Sequence, residues 1–325
     1  MVSVMGKRGL FLVWLCLVNI LPGMAQTEKL IDYVNPFVGT DGYGNVYPGA
    51  QIPFGGIQMS PDTDSKYYDA ASGYKCNHST LLGFSLTHLS GTGIPDLGDF
   101  LFISGTGEMK LDPGTREEPE KGYRSRYSHE KEWASPNYYA VELSDYGVKA
   151  EMTSGVRSGM FRFTYPQSDK AFIMIDMNHT LWQSCEWANL RMENDSTITG
   201  YKLVKGWGPE RHIYFTATFS KKLTGLRFMQ NKKPVIYNTS RFRSSYEAWG
   251  KNLMACISFD TKAGEEVIVK TAISSVSTNG AKNNMAELAG LTFDDLKAKG
   301  EALWEKELGK YTLTADRKTK RTFYT

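Results

Sequence analysis

The chain has 325 residues, of which 41% are hydrophobic, 13% aromatic and 22% charged, with 31 Gly and 12 Pro. This composition excludes a disordered, collagen-like or coiled-coil protein, and the length allows one large β domain or two smaller ones. Lys and Arg number 38 against 35 Asp and Glu, a formal charge of +3 with no basic block, which argues against nucleic acid as a partner.

In chain order, the first predicted element is a secretory signal peptide over residues 1–25. Lys7 and Arg8 precede an apolar run at 10–21, and Pro22, Gly23, Met24 and Ala25 supply a small-residue cleavage site before Gln26. The run is too short to span a bilayer and no second one follows, so the expectation is a periplasmic or extracellular protein without a membrane span. Bulky Trp14 and Leu15 before Cys16 argue against lipidation. Cleavage leaves Cys76, Cys185 and Cys256. At most one disulfide can form among them, none has metal-ligand spacing, and buried thiols are the expected state.

The next hundred residues are punctuated by Gly39, Gly42, Gly44, Pro48, Gly49, Pro53, Gly55 and Gly56, the mark of loops whose backbone conformation matters. Period-two patterning follows from about 138 to 276. Ile213, Phe215, Ala217 and Phe219 share one strand face, and Phe161, Phe163 and Tyr165 alternate with Arg162 and Thr164. The apolar runs 171–175, 254–259 and 267–273 predict more deeply buried strands. Many short strands without intervening helices predict a mainly β fold, an antiparallel β-sandwich. Helical spacing begins only at 292–309, with a Thr292/Asp295 capping box and an apolar stripe of Phe293, Leu296, Leu303, Trp304 and Leu308. Gly300 weakens that helix by about 1 kcal/mol relative to Ala. The expected division is a signal peptide at 1–25, a β-sandwich domain at 26–280, and a helical linker at 281–325 leading into a further domain. The aromatic end at 323–325 lacks the cap or polar tail of a finished domain.

Three segments bear chemistry. They are 37–42 (FVGTDG) through 47–50 (YPGA); 53–55 (PFG) through 60–62 (SPD); and 83–93 (GFSLTHLSGTG) followed by 96–99 (DLGD). Together they resemble the N-terminal domain of glycoside hydrolase family 92, the calcium-dependent exo-acting α-mannosidases. The resemblance continues through 274–278 (SSVST) and Trp304 to 323–325 (FYT), where family members run on into a second domain. It implies an N-terminal β-sandwich, a helical linker and a C-terminal (α/α)6 barrel that is absent here, with the site between the domains. It further implies inversion by a Glu acid and an Asp base, and a Ca²⁺ contacting the sugar hydroxyls, all supplied by the barrel. The expected function is therefore the N-terminal part of a secreted α-mannosidase hydrolysing terminal α-mannosides of glycans. It contributes pocket loops but no catalytic carboxylates, and alone it is expected to be inactive. Its expected partners are mannose-containing glycans and the C-terminal domain. The alternative is a non-catalytic carbohydrate-binding β-sandwich module.

On this reading the substrate-binding candidates are Pro53, Phe54, Gly55, His88, Ser90, Gly91 and Thr92. Gly-rich turns allow close backbone approach to a ligand, and the His-Leu-Ser-Gly-Thr run offers hydrogen-bond partners for hydroxyls. The two segments are expected side by side at the sandwich surface that meets the barrel. His88 has a second reading, as a structural imidazole bridging two loops. Asp96 and Asp99 fit a role in stabilising the loop around Gly98 better than that of a catalytic pair. Trp182, Trp187 and Trp207 are potential sugar platforms, but packing or burial is the favoured reading. His78 and His88 lack a third zinc ligand. Asn77, Asn178, Asn194 and Asn238 head glycosylation sequons. Two departures from the family pattern, Tyr43 or Asn45 in place of His and Tyr67 with Tyr68 in place of Trp, leave the linkage preference open.

Overall fold

The computed structural model describes residues 28–66, 68–236 and 247–325. The predicted signal peptide with Cys16, Tyr67 and the Asn238 sequon lie outside these residues. The fold is mainly β and antiparallel, as the sequence pattern predicts. One sheet has seven strands in the order Ser60–Asp62, Gly83–Ser85, Leu101–Thr106, Ser168–Asp176, Leu253–Thr261, Gly225–Gln230 and Lys233–Pro234. The second has nine, running from Glu247–Gly250 through Ser184–Asn194, Thr197–Lys205, Arg211–Phe219, Glu265–Ser274, Ser158–Tyr165, Val148–Ser154 and Tyr138–Leu143 to Glu132–Ser135, and a small third sheet pairs Thr80–Leu81 with Ser125–Arg126.

The two large sheets share one apolar core. Phe102 of the first lies 5.0 Å, centroid to centroid, from Phe161 of the second, and Phe100 lies 4.5 Å from Phe215. Residues 213, 215, 217 and 219 all point into this core. The predicted runs at 171–175 and 254–259 belong to strands covered on both faces. Ile173, Ile175, Ala255 and Ile257 face the other sheet, while Phe172, Met174, Met254 and Cys256 face a second cluster with Tyr123, Met109 and Leu111. Two-sided covering removes the polar alternation that a half-exposed strand shows. Cys185 and Cys256 are buried free thiols, and Cys76 is half-buried. No helix among the described residues is long and apolar enough to cross a membrane.

Three helices follow the strands: α1 (Thr278–Asn284), α2 (Phe293–Leu308) and α3 (Arg317–Tyr324). The predicted helix α2 starts at its capping box, where Thr292 Oγ1 accepts from Asp295 N at 3.1 Å and Asp295 Oδ2 accepts from Thr292 N at 3.0 Å. Phe293 and Leu296 bury against Met160 of the nine-stranded sheet, but Leu303 faces solvent. The buried face runs instead through Gly300, where an added Cβ would sit 1.6 Å from Asn137 Nδ2. The glycine that weakens the helix by propensity is the one that lets it dock. Further along α2, the Trp304 indole N–H donates to the Gln51 carbonyl at 2.7 Å. The aromatic end of the chain packs back on itself. Tyr324 of α3 stacks on Tyr33 at 6.0 Å, and its hydroxyl donates to the Tyr311 carbonyl at 2.8 Å.

Gly300→Ala should therefore destabilise the fold, although alanine favours helix by about 1 kcal/mol. The expected cost of the clash, about 1–3 kcal/mol, exceeds that gain. In thermal melts, Asn137→Gly combined with Gly300→Ala should lose less than the sum of the two single changes, because the first removes the atoms that the second strikes.

Candidate functional site

The loops between residues 34 and 99 converge on two buried carboxylates. Asp62 ends its strand opposite Gly83 and accepts from two imidazoles. His88 Nε2 lies 2.8 Å from Oδ1, and His179 Nε2 lies 2.7 Å from Oδ2. The other ring nitrogen of His88, Nδ1, donates to the Gln58 carbonyl at 2.8 Å, and Ser85 Oγ stands 3.1 Å from Nε2. Both ring nitrogens thus face oxygen acceptors, an arrangement fully satisfied by an imidazole that donates from each side. Gly73, at φ +88°, presses against this pair: a Cβ there would meet Asp62 Oδ1 at 2.0 Å and His88 Cδ2 at 3.2 Å.

The second carboxylate is Asp99. Lys202 Nζ reaches its Oδ1 at 3.0 Å, and Arg211 grips both oxygens at 2.6 and 3.2 Å. Thr87 Oγ1 donates to Oδ2 at 2.7 Å. Lys202, 0% exposed, also donates to the His179 carbonyl at 2.6 Å. One polar network therefore runs from Gln58 through His88, Asp62, His179 and Lys202 to Asp99 and Arg211, crossing from one sheet to the other.

Burial opposes ionisation of Asp62, but the charge of His88 and hydrogen bonds from both imidazoles outweigh it and hold the carboxyl well below its usual range. Asp99 follows the same logic, with burial overcome by Lys202 and Arg211. A general acid requires a raised carboxyl pKa, so neither group is poised to donate a proton. Nor do they fit Ca²⁺, which takes six to eight oxygen ligands: their oxygens are already taken by imidazoles at Asp62 and by an ammonium and a guanidinium at Asp99. Among the described residues no group of three or more His, Cys, Asp or Glu is placed to hold a metal.

The candidates chosen from sequence separate into two kinds. Phe54 is 92% exposed at φ +60°, in a turn closed by Gly55 N donating to the Ile52 carbonyl at 3.1 Å. Pro53 and Gly55 beside it are half-buried. Ser90 and Gly91 are exposed and Thr92 is half-buried; Gly91 N donates to the Asn45 carbonyl at 2.8 Å, tying this loop to the one before it. His88 is not at the surface as expected. It is 3% exposed because Asp62 and Gln58 draw it inward. Gln58 joins the two segments, since its side chain donates to the Gly55 carbonyl at 3.0 Å while its own carbonyl receives His88.

Other expectations are corrected. Asp96 does stabilise the loop beside Gly98, accepting from Leu97 N at 2.6 Å, but Asp99 does not cap Gly98, whose N–H goes to the Thr87 carbonyl at 2.8 Å. The favoured packing of the three tryptophans is replaced by exposure: Trp182 is 55% exposed, Trp207 64%, and Trp187 faces solvent too. Trp187 is displaced by a bulge in its strand between Cys185 and Trp187, which turns the indole to the face opposite the buried thiol. Asp62, His179, Lys202 and Arg211 were not singled out from the sequence. A signal existed for Lys202, which shares the inward parity of Ile198, Gly200 and Val204.

Asp99→Asn leaves the Lys202 ammonium buried without its counter-charge and should cost about 3–5 kcal/mol of stability. Because both carboxylates ionise below the ordinary value of about 3.9, their contribution is complete above about pH 4 and fades as the pH falls below it. Denaturant melts at pH 7 and at pH 3 should show a smaller Asp99→Asn penalty in acid. An equal penalty at both would remove the ionic reading.

Comparison with known proteins agrees with this arrangement of loops and sheets. Residues 33–274 match the family model described as the glycosyl hydrolase family 92 N-terminal domain. A family GH92 α-mannosidase from Bacteroides thetaiotaomicron is 89% identical, with a TM-score of 0.90 over 93% of this chain and 41% of its own. A second structure of that mannosidase, in complex with mannoimidazole, matches at the same identity and TM-score over 91% of this chain and 39% of its own. An uncharacterized secreted glycosidase of Arthroderma benhamiae is 30% identical over 148 residues, 45% of this chain and 19% of its own. The chain thus spans about two fifths of the length of the mannosidase structures it matches. With the family model covering most of its length, the chain belongs to glycosyl hydrolase family 92 and carries that family's N-terminal domain.

Proposed function

We propose that this chain is the N-terminal part of an exported α-mannosidase that hydrolyses terminal α-mannosides of glycans with inversion. The carrying observation is the 89% identity to an α-mannosidase also solved with mannoimidazole. The secreted glycosidase relative supports export.

In this reading Pro53, Phe54, Gly55, Ser90, Gly91 and Thr92 form loops of the sugar pocket, and His88 is a positioning residue behind them. Asp62 holds one nitrogen of its ring and the other donates to the Gln58 carbonyl, while the Gln58 side chain fixes the turn that presents Phe54. Inversion requires an acid and a base about 6.5–9.5 Å apart, on opposite sides of the sugar. Asp62 is held by two imidazoles and Asp99 by Lys202 and Arg211, so the catalytic pair is assigned to the remaining three fifths of the enzyme, together with the calcium ligands. Calcium held by residues of that remainder would supply a positive charge that orients and polarises the sugar's oxygens.

The test is mannose release from α-linked mannobioses. The 325-residue chain alone should show no turnover. An enzyme carrying it ahead of the rest of the relative's length should be active, give β-mannose as the first product by proton NMR, and lose activity to a calcium chelator. In that enzyme His88→Ala should lower turnover about 10–100-fold through misplacement of the loop. Calcium-independent turnover by the chain alone would overturn the assignment.

A further inference from the structure

A cleft of about 780 Å³ opens at one end of the seven-stranded sheet, beside the loop that carries Ser65. Its floor is apolar, made by Leu82, Leu111, Tyr123, Met229 and Met254, and continues the cluster that covers that sheet. Its rim is polar. Asp112 pairs with Lys232 across one end, Asp176 Oδ2 accepts from the Tyr123 hydroxyl at 3.2 Å, and Asn252 Nδ2 donates to Asn231 Oδ1 at 2.8 Å. Two carboxylates, Asp112 and Asp176, face two ammonium groups, Lys66 and Lys232, while His179 is turned toward Asp62. The lining is balanced in charge, which suits a neutral ligand over an ionic one. Its volume falls within the roughly 300–1,000 Å³ typical of small-molecule sites.

Trp182 stands at the rim. It is 55% exposed, and its backbone is left-handed at φ +67°. Two hydrogen bonds hold it there, from Trp182 N to the Ser65 carbonyl and from Leu181 N to the Leu97 carbonyl, each 3.0 Å. The edge of Tyr68 closes on the indole at 6.2 Å. Three more of the nine non-glycine residues with positive φ among those described, Asn231, Lys232 and Asn252, line the same cleft. A left-handed conformation is costly for a bulky residue and persists where the surroundings over-determine it. An indole fixed above an apolar floor, with amides and a carboxylate around it, matches a pyranose, which has an apolar C–H face and a ring of hydroxyls.

We propose that this cleft binds one or two pyranose units of a neutral glycan, stacked on Trp182 and hydrogen-bonded by Asp176, Asn178 and Asn252. The proposal rests on the glycan-processing reading for its ligand class but not on any catalytic step.

The test is binding of methyl α-mannoside, α-mannobiose, cellobiose and the anionic sugar galacturonate to the 325-residue chain, by saturation-transfer NMR and calorimetry. At least one neutral sugar should bind, Trp182→Ala should weaken it tenfold or more, and Asn252→Asp should weaken it severalfold. Trp182→Phe should keep most of the affinity, which separates loss of the ring from loss of the fold. Trp133→Ala, on the far edge strand of the other sheet, should bind as the parent does. Binding of cellobiose but of no mannoside, still dependent on Trp182, supports the cleft and counts against the mannosidase reading. Failure of every neutral sugar to bind, or unchanged affinity in both Trp182→Ala and Asn252→Asp, overturns the cleft whatever the longer enzyme hydrolyses.

Discussion

The pairing of two buried carboxylates with histidine, lysine and arginine is the constraint on which the loop architecture depends. Asp62 lies on the seven-stranded sheet and Lys202 on the nine-stranded sheet, and His179 touches both. Removing such charges from water costs several kcal/mol per ion unless each is met by partners of good geometry. The loops carrying Gln58, Gly73, His88 and Asp99 are therefore confined to conformations that satisfy the network. The family's glycine-rich segments are consequently ordered, although they contain few strands. Their flexibility in sequence terms is spent on close approach, as at Gly73 against Asp62.

The helices extend the same logic from outside. Trp304 holds the carbonyl of Gln51, and Tyr47 donates from its hydroxyl to the Gln51 side chain at 2.6 Å. The exposed Phe54 turn is thus gripped on one side by the network through Gln58 and on the other by helix α2 through Gln51. The Trp304 contact closes a loop of 253 residues, and α2 docks through Gly300 on Asn137. Contacts of such sequence separation form late and slowly in folding.

How much of this was legible in the sequence depended on whether the signal was local. Strand parity at 161–165 and 213–219, the buried runs at 171–175 and 254–259, and the Thr292 cap are read within a few residues, and all match the structure. The motifs at 53–62 and 83–99 fall on the loops that carry the buried network of Asp62, His88 and Asp99. They did not reveal that His88 points inward, because its partners lie 26 and 30 residues away and no periodicity links them. His179 stands 117 residues from Asp62, beyond any local pattern. Trp187 misled for a different reason: a single bulge reverses the face that parity predicts. Leu303 misled because a glycine, not an apolar side chain, occupies the point of closest helix approach.

The buried thiols carry a consequence for the chemistry of this chain outside a reducing compartment. Burial pushes the Cys256 thiol up to about 12 and raises that of Cys185 as well. Disulfide exchange proceeds through the thiolate, and at neutral pH a thiol of that acidity is ionised on the order of one part in 10⁵. The two sit on different sheets, Cys256 on the seven-stranded and Cys185 on the nine-stranded. Each becomes reactive only when its own layer opens. With one reagent at one concentration, their relative rates of oxidation or alkylation in the native protein therefore report the opening equilibrium of each layer separately.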